Sequence, residues 1–189
     1  MGEKSWFVQS DEEWNSFAER LKQMPCPHCR VVGTLIRHGC LRGFDQNSSR
    51  PAVRARRIFC SNRHARPGCG RTFSVWYADK IRRLSLTTRC LGRFLRRAAA
   101  SSVLAAIRTA DGHLCDRTWQ RIWKRFHLGQ CKIRTALSTR CPPPELPARS
   151  PAQPAHTPAA QVLAHLQAAF PDAACPIAAF QHTLGTFFV

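Results

Sequence analysis

Four cysteines constrain this chain more than any other feature. Cys26-Pro27-His28-Cys29 sets two thiols across two residues at a tight turn; Cys60 follows after thirty residues, and Cys69 after eight more. Such a pair grips one side of a tetrahedral ion, and a second pair brought up by a hairpin closes the other side. Cys26, Cys29, Cys60 and Cys69 are therefore the expected ligands of one Zn²⁺. Four protein ligands leave no open position, so the ion is expected to be structural. His64 falls inside the second gap and is the first substitute for a cysteine; His38 with Cys40 is a further alternative pair. The segment is short, polar and rich in arginine, so metal binding would supply most of its folding energy.

Residues 26–79 then read as a small three-stranded zinc ribbon. Residues 31–38 are β-branched and apolar, and Gly39 and Gly43 punctuate a turn. A polar loop covers 45–51, a second strand runs over 54–59 into Cys60, and residues 71–76 alternate polar and apolar as a third. Ahead of the ribbon, residues 1–25 predict an arm or short strand and a capping helix. Ser10 and Glu13 form a capping box, and Asp11, Glu12 and Glu13 suit the positive end of the dipole. Trp14, Phe17 and Leu21 recur at helical spacing, a face expected to pack on the ribbon.

Residues 80–141 predict helices. Ser85 or Thr87 caps a first, running to about Ala100 with Leu91, Phe94 and Leu95 inward; Ser102 caps a short second. Asp111-Gly112-His113 is a turn. A third helix begins near Asp116, with Trp119, Ile122, Trp123 and Phe126 on its inner face. Its polar face carries Arg117, Gln120, Arg121, Lys124 and Arg125, and residues 131–139 add a further segment. Two short helices about a glycine turn, the second basic, form a helix-turn-helix pattern. Residues 142–158 hold seven prolines and read as an extended linker. Residues 159–189 make a short amphipathic helix and an apolar ending, which either docks back or meets a partner. The fold class is thus α+β.

Charge narrows the function. The chain carries 29 Lys and Arg against 11 Asp and Glu. Between Cys26 and Cys141 there are 25 basic residues against only Asp45, Asp79, Asp111 and Asp116. That imbalance attracts a polyanion and releases its counterions, which points to nucleic acid. No signal peptide or apolar membrane span is read, so a cytoplasmic, nucleoid-associated location is expected. Cys40, Cys90, Cys115, Cys131, Cys141 and Cys175 are then small buried or half-buried fillers. Strand cleavage needs paired carboxylates around divalent metals, and the few acids here are isolated. Tyr77, the one tyrosine, follows directly on the third strand and reads as a packing residue; no enzyme is expected.

The string FCSNRHARPGCGRTFSVW, behind an upstream CPHC and ahead of DRTWQRIWKRF, resembles the amino-terminal zinc-ribbon and helix-turn-helix region of bacterial insertion-sequence transposases and their small companion proteins. The likeness spans residues 24–141. It implies binding of element-end DNA, with a separate acidic catalytic domain that is not seen here: Glu145 and Asp172 are the acids that follow. The expected function is a zinc-stabilised duplex-DNA-binding protein of a mobile element, accessory or regulatory to transposition. Its tail would recruit a recombinase subunit or self-associate. Candidate DNA contacts are Arg54, Arg56, Arg57, Arg63, Arg66 and Arg71 on the ribbon, and Arg117, Gln120, Arg121, Lys124 and Arg125 on the third helix. The alternatives are a zinc-ribbon adaptor for a protein partner or RNA, and a transcriptional regulator unrelated to transposition.

Overall fold

Residues 51–60 combine Val53, Ile58 and Phe59 with three arginines, and they form one of the two inner strands of a sheet. The structure is a computed structural model describing residues 6–45, 50–111, 114–145 and 157–189. Strand β1 (Trp6–Val8) leads into helix α1 (Asp11–Glu19) and a 3₁₀ turn (Arg20–Gln23). Strands β2 (Leu35–Phe44), β3 (Pro51–Cys60) and β4 (Thr72–Tyr77) follow, then helices α2 (Thr88–Ala100), α3 (Val103–Arg108), α4 (Asp116–Ser138), α5 (Pro158–Ala169) and α6 (Pro176–Leu184). The architecture is α+β. Its sheet has four strands in the order β1-β4-β3-β2, antiparallel except for the β1–β4 pair. The expected sheet had three. The apolar β1 adds the fourth, covering a β4 edge that would otherwise stand open.

β2 runs through both glycines that the sequence offers as a turn. Gly39 has φ +85° and sits at the register shift between Arg37 and Cys40, where a bulge needs the left-handed conformation. At Gly43 an added Cβ would meet Arg54 Cδ at 2.7 Å, so that glycine makes room for a buried guanidinium.

Two apolar cores result. The first lies between α1 and the sheet: Trp14, Ala18 and Leu21 bury against Leu35, Ile58, Val75 and Tyr77, with Cys26 and Cys60 at one end. Ser10 caps α1, accepting from Glu13 N at 3.3 Å, while Gln9 N donates to Glu13 Oε2 at 2.6 Å. The return bond of the capping box therefore lands one residue before the cap. Phe17 stays half-buried, packed edge-on against Trp6 at 5.4 Å.

The second core is helical and larger. Phe94, Leu95, Trp119, Ile122 and Phe126 meet Ile133 and Leu137 inside it, and Trp123 packs at its margin. Residues 116–138 form one 23-residue helix, not two segments. Gly129 lies in its interior, where a Cβ would meet nothing nearer than Ile133 Cδ1 at 3.8 Å. Its propensity cost of about 1 kcal/mol is outweighed by the burial of Ile133 and Leu137 on the next turns. The apolar tail docks back: Val162, Leu166, Phe170, Ile177, Phe180 and Phe188 belong to this same core. Gln181 is fully buried at the join of the two cores. It donates to Ala78 O at 2.8 Å and Lys80 O at 3.1 Å, and accepts from Phe188 N at 3.2 Å. The turn at residues 112–113, the loop at 46–49 and residues 146–156 of the proline stretch lie outside the described residues. Among the described residues, no helix is long and apolar enough to cross a membrane.

Candidate metal centre and basic surface

The two cysteine pairs close by the same backbone device. In the first, Cys26 N donates to Val31 O at 3.0 Å and Arg30 N to Cys26 O at 2.9 Å. In the second, Cys60 N donates to Arg71 O at 2.9 Å and Gly70 N to Cys60 O at 2.9 Å. The residue after each second cysteine is left-handed: Arg30 at φ 65° and Gly70 at φ 69°. The eight-residue gap is therefore the same knuckle with an inserted loop. That loop folds back so tightly that a Cβ on Gly68 would lie 2.1 Å from Ser61 O. His64 and Ala65 supply its left-handed turn, at φ 53° and 57°, and His64 is exposed.

The four sulfur atoms of Cys26, Cys29, Cys60 and Cys69 all lie within 4.8 Å of one another. Cys26 and Cys69 are 3.8 Å apart and Cys29 and Cys60 are 3.7 Å apart. A tetrahedral ion with metal–sulfur bonds of about 2.3 Å requires sulfur–sulfur edges of about 3.8 Å. A disulfide requires about 2.05 Å. The geometry thus fits a metal and not a cystine, and Cys69 completes the set in preference to His64. Neither His38 nor Cys40 joins it; His38 lies against the Phe59 ring at 5.3 Å.

Polar groups around the sulfurs favour thiolates. His28 N points at Cys26 Sγ at 3.4 Å and Cys69 N at Cys60 Sγ at 3.3 Å, and the Thr34 hydroxyl lies 3.1 Å from Cys60 Sγ. Burial pushes the Cys26 thiol up to about 12. Burial acts the same way on Cys60, but the Thr34 hydroxyl, the Cys69 N–H and the neighbouring thiols outweigh it and draw Cys60 down to about 7. The Cys60 proton leaves readily while that of Cys26 is held, because like charges this close ionise together only around a cation. A four-sulfur tetrahedral set suits zinc or iron.

The arginines divide into two classes. Arg54 is interior: it donates to Asp45 Oδ1 at 2.5 Å, Phe44 O at 3.3 Å, Ile81 O at 2.9 Å and Leu84 O at 2.5 Å. At 7% exposure it holds the β2–β3 end against the chain ahead of α2, and it leaves the candidate contacts. Arg56 is also engaged, bonding Tyr77 Oη at 3.0 Å and Asp11 Oδ1 at 2.6 Å. Arg57 is half-buried, whereas Arg63, Arg66 and Arg71 are exposed, Arg63 lying over the Phe59 ring at 5.5 Å. On α4, Arg117, Gln120, Arg121, Lys124 and Arg125 are all exposed, and no described residue forms an ion pair with any of these cations. Three of the four acids of the basic region are engaged elsewhere: Asp45 with Arg54 and Lys80, Asp79 with Lys80, and Asp111 with Arg93; Asp116, at the start of α4, forms no ion pair among the described residues.

No protein-family model, curated protein or solved structure matches this chain.

Tyr77 is poorly placed as a nucleophile. It is buried, its hydroxyl donates to Asp11, and burial and that bond push its phenol up despite Arg56. A tyrosine nucleophile needs the opposite shift. Cys115 and Cys131 are exposed, not the fillers expected of them. Sequence reasoning missed Thr34, Asp45 and Gln181. Only Asp45 left a signal, as a lone acid in an arginine-rich stretch.

Proposed function

We propose that this is a zinc-ribbon and helix-turn-helix protein that binds duplex DNA, serving a mobile element as an accessory or regulatory factor without cutting DNA itself. In this reading Cys26, Cys29, Cys60 and Cys69 hold one Zn²⁺, which shapes the sheet end; α3 and α4 are the helix pair. The observation that carries it is the α4 face: Arg117, Arg121, Lys124 and Arg125 stand exposed and unpaired among the described residues, at spacings that share one side of a helix. Arg63, Arg66 and Arg71 add the same sign on the sheet half. Arginine suits both phosphate and guanine, and an exposed basic helix suits the major groove. The link to transposition rests on the sequence resemblance of residues 24–141.

The test is a titration of labelled duplex at several salt concentrations. Arg121→Ala with Lys124→Ala is expected to weaken binding and to lower the slope of log affinity against log salt by about 0.9 for each lost phosphate contact. An unchanged slope removes α4 from the interface. Metal content read with the same preparation separates zinc from iron.

A further inference from the structure

Beside the thiolate cluster lies a pocket of about 300 Å³, at the small end of ligand cavities, which span about 300–1,000 Å³. Its walls are unusual for so basic a chain. Trp6, Phe73, Trp76 and Phe187 bring four aromatic rings to it, and all four are half-buried. The polar groups are placed between them. Thr72 and Ser74 line the pocket from β4, and His28 lines it from the Cys26–Cys29 turn. Among the described residues, no hydrogen bond engages the hydroxyl of Thr72, that of Ser74 or the His28 ring. Arg82 lies over the Phe187 ring at 5.6 Å and has no acidic partner among the described residues.

A flat apolar ring system with hydrogen-bonding edges, joined to an anionic group, satisfies each of these features at once. The rings supply stacking surface, the hydroxyls and imidazole can meet ring-edge donors and acceptors, and the guanidinium can meet a phosphate. We propose that the pocket takes one unpaired nucleobase of bound DNA, so that the protein favours duplex carrying an unstacked base over intact duplex. This rests on the DNA-binding reading above and adds a second, ring-stacking contact to it. Extrusion from a helix costs stacking and pairing, and the cost is least where the base is already unpaired.

Two labelled duplexes test it: one with a single unpaired 2-aminopurine, the other fully paired around that base. The unpaired duplex is expected to bind about ten-fold more tightly, with 2-aminopurine fluorescence quenched on binding, and Trp76→Ala should remove the preference while changing affinity for the paired duplex by less than about two-fold. If Trp76→Ala loses metal or helix content, Thr72→Val with Ser74→Ala carries the test, since the rings stay in place and the preference should still fall. Equal affinity of the wild-type protein for the two duplexes overturns the pocket assignment and leaves duplex binding standing. Failure to bind either duplex at low salt overturns both.

Discussion

The sheet half and the helical half of this molecule reach stability by different means. The helical core buries Trp119, Phe94, Phe126 and Phe180 almost completely and gathers side chains from five helices. The core under the sheet is smaller, and two of its buried members, Cys26 and Cys60, are sulfur donors. One half is held by apolar area, which is non-directional and distributed over many residues. The other has a smaller core and four sulfur atoms placed for a metal at one end of its sheet; on the proposed zinc-bound reading, that support is local and removable. On that reading the sheet half should be separable from the helical half. What resists that separation is the join, where Gln181 and Arg54 bond across it, His182 meets Glu13 at 2.7 Å and Phe187 packs against Phe7 and Trp76.

On the proposed zinc-bound reading, metal removal is the largest break available. Structural zinc in small modules contributes about 10 kcal/mol or more to folding, comparable to the whole stability of a domain. Chelation, or Cys60→Ser, is expected to unfold β2–β4 and expose Trp14, while most of the helical signal persists. Far-ultraviolet circular dichroism with tryptophan emission reads both halves at once. Simultaneous loss of helix and sheet would show that the two cores are one cooperative unit.

Arg54→Ala gives the next largest effect and addresses the join directly. The guanidinium is interior and bonded to Asp45 and to three carbonyls. Removing one partner of a buried pair costs about 3–5 kcal/mol, although Lys80 remains to share Asp45. The expected result is a melting curve that splits in two, with the sheet half melting first and the metal content the same as that of the unsubstituted protein at room temperature. A uniform downward shift of a single transition would place Arg54 within one cooperative fold.

The clustering of Cys26, Cys29, Cys60 and Cys69 was legible in the sequence because metal geometry is a short-range constraint on residue type and spacing. The helical spans were legible for a similar reason: Thr87, Ser102 and the spacing of Trp119, Ile122 and Phe126 are local signals. Strand extent was less so. Gly39 and Gly43 carry the composition of a turn, yet one makes a bulge and the other makes room for Arg54, a residue eleven positions away whose burial no local pattern announces. The parallel pairing of β1 and the docking of the tail were not legible at all, since both depend on which edge and which apolar face remain open once the rest has formed. Arginine misled in one respect. Its abundance reads as surface, but Arg54 and Arg56 are held in the fold by Asp45 and Asp11, acids too few to stand out.

The smallest effect belongs to the triangle of Asp11, Tyr77 and Arg56 on the sheet half. Tyr77 first and Arg56 second hold the Asp11 carboxyl below its ordinary value of 3.8. A lowered carboxylate stabilises the fold above its unfolded value, and that contribution is lost as pH falls through the folded one. On the proposed zinc-bound reading, the cysteine ligands take up protons as acid is added, so an acid titration would report the metal before it reported Asp11. The cleaner measurement is a double-mutant cycle at neutral pH with Asp11→Asn and Tyr77→Phe. Asp11 is 65% exposed, so the coupling should be about 0.5–1 kcal/mol and fall with added salt. It should appear only in the sheet transition of the split melt, assayed on an Arg54→Ala background. A coupling of the same size in the helical transition would mean that the two halves communicate even after their join is weakened.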